Sequence, residues 1–160
     1  MSEDLQELLN KAYFFLKFRP RTKKEMQDYL YKKIEKRWFS RSHADKVIEI
    51  LEERKLIDDK AFVEWYIDQR SRSKPKGSYV IKGELLRLGV PKDLIDFHLQ
   101  EKPLEEEDLA LQALQKKWHR FKTLPKKERF AKSAAFLSNR GFPFDLIRNA
   151  ISKLEETDDN

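Results

Sequence analysis

Two carboxylates stand side by side at Asp58 and Asp59, directly after the apolar pair Leu56-Ile57. Adjacent acids are where a search for general acid–base chemistry begins. At a helix start, however, neighbouring side chains point in different directions and do not converge on one substrate atom, so capping of the following helix accounts for them better. His43, His98 and His119 lie in three separate stretches without ligand spacing, and the chain has no cysteine, so neither a metal site nor a disulfide framework is expected. With no convergent nucleophile, base or phosphate-cradling loop, the residues argue against an enzyme and call for no cofactor.

What remains is positive charge, and its distribution says more than its sum of +6. From Lys11 to Lys46 twelve Lys or Arg face four Asp or Glu, and from Lys116 to Lys132 eight face one. Between Gln69 and Gly83 lie Arg70, Arg72, Lys74, Lys76 and Lys82 with no acid at all. Acids gather at Glu105 to Asp108 and Glu155 to Asp159. Such segregation suits a polyanion or an acidic protein surface; a solvated lysine-rich surface is the plainer alternative.

The elements that must carry these charges are helices. Hydrophobic and charged residues each make up 39% of the chain, a balance that favours amphipathic helices over one thick core. Thr22 and Glu25 form a capping-box pattern ahead of Met26, Tyr29, Leu30 and Ile34 on one face. Ser42 is expected to cap the helix bearing Val47, Ile48 and Leu51, and Asp58 the helix bearing Phe62, Trp65 and Tyr66. Sustained strand alternation and hairpin turn dipeptides are absent. The chain also repeats a phrase, Gly-Val-Pro-Lys-Asp-Leu-Ile from Gly89 and Gly-Phe-Pro-Phe-Asp-Leu-Ile from Gly141. A glycine that ends one helix in the left-handed conformation, followed by a proline that starts the next, explains it.

Extending outward from these phrases gives three units of about fifty residues, the window of stacked repeats. The expected fold is all-α, three tandem three-helix repeats with about nine helices in an elongated, curved array: 1–56, 57–102 and 103–156, then an acidic disordered tail at 157–160. Three basic clusters fall near the start of each unit's second helix. They are Arg70, Arg72, Lys74 and Lys76 on a connector; Arg19, Arg21, Lys23 and Lys24; and Lys122, Lys126 and Lys127. As exposed charges contribute little to folding, replacing the four connector residues by alanine is expected to leave stability nearly unchanged. Phe62, Trp65, Tyr66 and Phe97 read as core. Trp38 and Phe39, in an irregular basic loop, read as core or as an exposed anchor.

The segment Leu-Ile-Asp-Asp-Lys-Ala-Phe-Val-Glu-Trp from Leu56, with Arg70, Gly77, Leu85 and Gly89 downstream, resembles the central signature of the RecX family of recombination regulators. Arg-Pro-Arg-Thr-Lys-Lys-Glu-Met from Arg19 is similar to that family's opening phrase, with Thr22 in a serine position. There are departures. Lys55 stands where the family usually has glycine, Ala61-Phe62 reverses the usual order, and the loop around Trp38 and Phe39 is longer.

The resemblance implies a modulator of the RecA recombinase in DNA repair and homologous recombination, linked to the SOS response. It would lie in the helical groove of the RecA–DNA filament and inhibit strand exchange and ATP hydrolysis, with the three basic clusters as its contacts and single- or double-stranded DNA as a further partner. A helix-turn-helix-like DNA-binding module is one alternative, although the helices after Pro91 and Pro143 offer few side chains for base edges. A helical-repeat adaptor for another acidic protein is a second. The acidic, amphipathic amino-terminal stretch and the lack of any long apolar run point to a soluble cytoplasmic chain without a membrane partner, expected to be a monomer.

Overall fold

The computed structural model describes residues 1–35 and 40–159. Trp38 and Phe39 lie outside the described residues. Among those described, the secondary structure is entirely helical: α1 (Glu3–Leu16), α2 (Lys23–Glu35), α3 (Arg41–Glu53), α4 (Asp59–Arg72), α5 (Ser78–Arg87), α6 (Lys92–Glu101), α7 (Glu106–Phe121), α8 (Lys126–Asn139) and α9 (Phe144–Asp159). This is the all-α repeat array expected from the sequence.

Capping chemistry sets the helix starts. Thr22 Oγ1 accepts the Glu25 N–H at 3.0 Å while Glu25 Oε1 accepts the Thr22 N–H at 3.1 Å, so the capping box is complete. Asp58 Oδ1 accepts from the Lys60 and Ala61 N–H groups at 3.0 and 3.3 Å, the capping role expected of it. For α3 the cap is Ser40, not Ser42. Ser40 has extended backbone and shares a reciprocal box with His43, which places Ser42 inside the first turn. The tail is also corrected, since α9 continues through Asp159. Thr157 Oγ1 donates to the Lys153 carbonyl at 2.9 Å, and the Trp118 indole N–H donates to Asp158.

Helix ends follow one pattern three times. Gly89 and Gly141 take φ of +93° and +87°, and each turn closes with paired bonds: Gly89 N to Leu86 O with Val90 N to Leu85 O, and Gly141 N to Ser138 O with Phe142 N to Leu137 O. These are Schellman closures, which satisfy the last carbonyls of α5 and α8. The same closure ends α3, where Lys55 N bonds Glu52 O and Leu56 N bonds Leu51 O, but here a lysine takes φ +58°. The departure from glycine at this position is therefore a strained one.

The helices gather into two compact units. The first comprises Met1–Trp65 and Leu85–Asp96, and the second Tyr66–Glu84 and Phe97–Asn160. In the first, α1 and α2 pack on α3 around Leu8, Leu9, Met26, Leu30, Val47 and Leu51. In the second, α7, α8 and α9 pack on one another around Leu114, Trp118, Leu137, Ile147 and Ile151. Phe62 and Tyr66 are buried as expected and Trp65 is half-buried, whereas Phe97 is 55% exposed and leaves the expected core list.

Candidate partner-binding surface

Two helix starts are built alike, and both govern where basic residues go. At the start of α2, the Lys23 N–H is capped by Asp59 Oδ1 at 2.9 Å. The Gly89 turn lies against the same place, where the fully buried Thr22 donates its hydroxyl to the Leu88 carbonyl at 2.6 Å. A Cβ on Gly89 would lie 2.3 Å from Lys24 Cβ. At the start of α5, Glu106 takes the carboxylate role, accepting from the Ser78 hydroxyl at 2.9 Å and its N–H at 3.3 Å. The Gly141 turn takes the glycine role, with Gly77 N donating to the Arg140 carbonyl at 2.8 Å. A Cβ on Gly77 would meet the Gly141 carbonyl oxygen at 2.2 Å. The acid pair at Asp58-Asp59 thus splits its work. Asp58 caps its own helix and Asp59 the start of α2; burial raises the Asp59 pKa, opposed by the Lys23 N–H bond.

Each of the two seats carries a basic phrase just ahead of it, Arg19-Pro20-Arg21 and Lys74-Pro75-Lys76. In both, the following helix supplies a carboxylate that ties cations down. Glu25 binds Arg19 at 2.5 Å with Arg21 at 3.9 Å, and Arg21 also stacks on the Phe15 ring at 3.8 Å. Glu84 binds Lys76 at 2.5 Å and Arg70 at 3.1 Å and accepts the Tyr66 hydroxyl, while Arg70 also stacks on the Tyr66 ring. Burial alone would raise the Glu84 pKa, but the bonds from Lys76, Tyr66 and Arg70 outweigh it and hold the carboxyl below its usual value.

The expectation for the four connector residues needs correction. Arg70 and Arg72 lie on the last turn of α4, and Arg70 and Lys76 are fastened to Glu84, so their removal disturbs a half-buried network. Arg72 is 75% exposed and pairs with the exposed Asp68, and Lys74 is exposed with φ +54°. In the first cluster Lys23 pairs with Glu52 at 3.1 Å and Lys24 with Asp28 at 2.8 Å, both near the surface. Lys122, Lys126 and Lys127 are all exposed, and the first two line a shared cavity.

Sequence reasoning missed the anchoring acids Glu25 and Glu84 as organisers of the clusters. The repeated basic-Pro-basic phrase, followed by a helix with an inward carboxylate, was the available signal. It also missed exposed aromatics, including the edge-to-face pairs Phe14–Phe18 and Phe130–Phe144, because helical spacing alone does not tell a core stripe from an outer one. Among the described residues no group of three or more His, Asp or Glu could hold a metal ion, and no helix is long and apolar enough to cross a membrane.

Comparison with known proteins bears on this architecture. Models of the RecX second and third three-helix domains match residues 58–99 and 105–151. The regulatory protein RecX of Chlorobium phaeobacteroides strain BS1 is 33% identical over 124 residues, 76% of this chain and 79% of that protein. That of Bacillus cytotoxicus is 31% identical over 160 residues, 99% of this chain but 58% of its own length, so this chain spans little more than half of some relatives. The crystal structure of RecX from Lactobacillus salivarius matches with a TM-score of 0.77 at 23% identity, covering 97% of this chain and 99% of that one, a likeness of fold.

Proposed function

This chain belongs to the RecX family, and from that premise we propose that it is a regulator that binds the RecA–DNA filament in its helical groove and restrains strand exchange and ATP hydrolysis during recombination and repair. It acts by binding and not by catalysis, in keeping with relatives named regulatory proteins. Three repeats, 1–56, 57–102 and 103–156, are part of the same reading, supported by the matching seats at α2 and α5.

The observation that carries the reading is the sorting of cations. Internal carboxylates absorb Arg19, Arg21, Arg70 and Lys76, while Arg72, Lys74, Lys122, Lys126 and Lys127 face solvent. Exposed cations at helix ends and turns suit the acidic lining and phosphates of a nucleoprotein filament.

The test is binding to preassembled RecA filaments on single-stranded DNA beside the same bare DNA, at one fixed physiological salt. Tight filament binding with weak DNA binding is expected. Equal affinity for both would replace this reading with a general DNA-binding module of helix-turn-helix type.

A further inference from the structure

The basic turn between α7 and α8 meets acid from its own chain. Lys122, Lys126 and Arg129 share a cavity of about 400 Å³ with Trp118 and with Glu155, Asp158 and Asp159 of α9. Arg129 binds Glu155 Oε2 through Nη2 at 2.5 Å and through Nε at 3.0 Å, and its Nη1 donates to the carbonyls of Lys122 and Leu124, both at 3.5 Å. One guanidinium therefore ties the basic turn to α9. One turn further on, the Trp118 indole N–H holds Asp158, so the last acidic turn is kept at the cavity where a disordered tail was expected.

The two parts of this arrangement differ in kind. Arg129 and Glu155 are largely buried partners, with side-chain exposures of 20% and 26%, and they set the packing of α9 on the turn. Lys122, Lys126, Asp158 and Asp159 are all exposed, so their mutual attraction adds little to folding and remains available to a competitor. A phosphate group approaching Lys122 and Lys126 therefore meets the charge of the two aspartates that line the same cavity. The last turn of a helix is where local opening is easiest.

We propose that the acidic last turn of α9 is an internal competitor for the polyanionic partner. Asp158 and Asp159 occupy the field of Lys122 and Lys126 until the phosphates of a nucleic acid replace them. The proposal rests on the reading of these lysines as partner-binding, and it names how that site is regulated.

The experiment compares the full chain with its Asp158→Asn/Asp159→Asn variant, using a fluorescein-labelled oligothymidylate at low salt. The amide that replaces the Asp158 carboxylate keeps an acceptor for the Trp118 N–H, and circular dichroism checks that the helices persist. The variant should bind about three- to tenfold more tightly, with a gain that shrinks as salt rises. Adding Lys122→Gln and Lys126→Gln to the variant should abolish the gain. Equal affinity of the two chains, no measurable binding by the variant, or a gain that survives loss of both lysines overturns the proposal. A parallel arm with RecA filaments separates it from the function proposed above. Filament binding unaffected by the aspartate changes leaves that function standing without the competitor, whereas an oligothymidylate gain without filament binding keeps the competitor and removes the recombinase.

Discussion

The start of α2 and the start of α5 receive the same two visitors, a carboxylate from a later helix and a glycine turn from a later one still, but they hold the turn differently. At α2 a side chain does it, the Thr22 hydroxyl reaching the Leu88 carbonyl; at α5 backbone meets backbone, Gly77 N on the Arg140 carbonyl. A contact made by a hydroxyl can be kept by another hydroxyl. One made by bare backbone leaves no room for any side chain, as the 2.2 Å approach at Gly77 requires. The resemblance puts serine at the Thr22 position, which fits the first seat's tolerance.

The largest expected effect breaks the second seat. Gly77→Ala forces its Cβ into the Gly141 carbonyl and should cost more than about 3 kcal/mol, read by chemical denaturation. At the first seat Thr22→Ser should stay within about 1 kcal/mol of the parent, while Thr22→Val, losing the cap and the bond to Leu88, should cost about 2 kcal/mol. Equal costs for Gly77→Ala and Thr22→Ser would show that the two seats do not differ as described.

Anchored and exposed cations give the next contrast. Arg70→Ala with Lys76→Ala strips Glu84 of both cations and should cost about 2 kcal/mol, since a mostly buried carboxylate then keeps the Tyr66 hydroxyl but neither of its positive partners. Arg72→Ala with Lys74→Ala should change stability by less than about 0.5 kcal/mol and still weaken filament binding several-fold. Filament binding unchanged in the second pair would shift the contact surface away from this turn.

Two carboxyls should respond to acid in opposite senses. The folded state holds Glu84 below its ordinary pKa, so its stabilisation is present at neutral pH and is lost as pH falls through the carboxylate range. Asp59 is raised, chiefly by burial, so its contribution is fullest at low pH and declines as pH rises through the raised value. Glu84→Gln should therefore flatten the acid limb of a Tm–pH curve, and Asp59→Asn should steepen it. Shifts of one sign in both variants would contradict these environments.

The last effect is small, and it is a gain. Lys55 closes α3 in the conformation that Gly89 and Gly141 adopt without strain, so Lys55→Gly should raise stability by about 1 kcal/mol, seen as a Tm a few degrees higher. A fall in Tm would mean that the lysine stem packs well enough to offset the strain.

Much of this was legible in the residues, because helix boundaries depend on local chemistry. Thr22 with Glu25, Asp58, and the two glycine-proline phrases each act within a few residues, and the helices begin and end within one to three residues of where they point. Ser40 was missed because two nearby serines offer the same hydroxyl and only the path of the backbone chooses between them. Phe97 and the acidic turn of α9 were misjudged for a related reason: periodicity and charge describe a segment, not what lies opposite it.

From sequence alone, then, came the all-helical order, the repeated stops and starts, and the basic character of three turns, since each is decided by neighbours along the chain. Tertiary structure decided that Asp59 serves α2 and Glu106 serves α5, that Glu84 takes up Arg70 and Lys76, and that α9 brings Asp158 and Asp159 to the cavity that Lys122 and Lys126 line. The hydrogen-bonded pairs among these join residues from 8 to 36 positions apart, and no local propensity carries information over the longer of these distances; it is packing of the helices that brings the charges together.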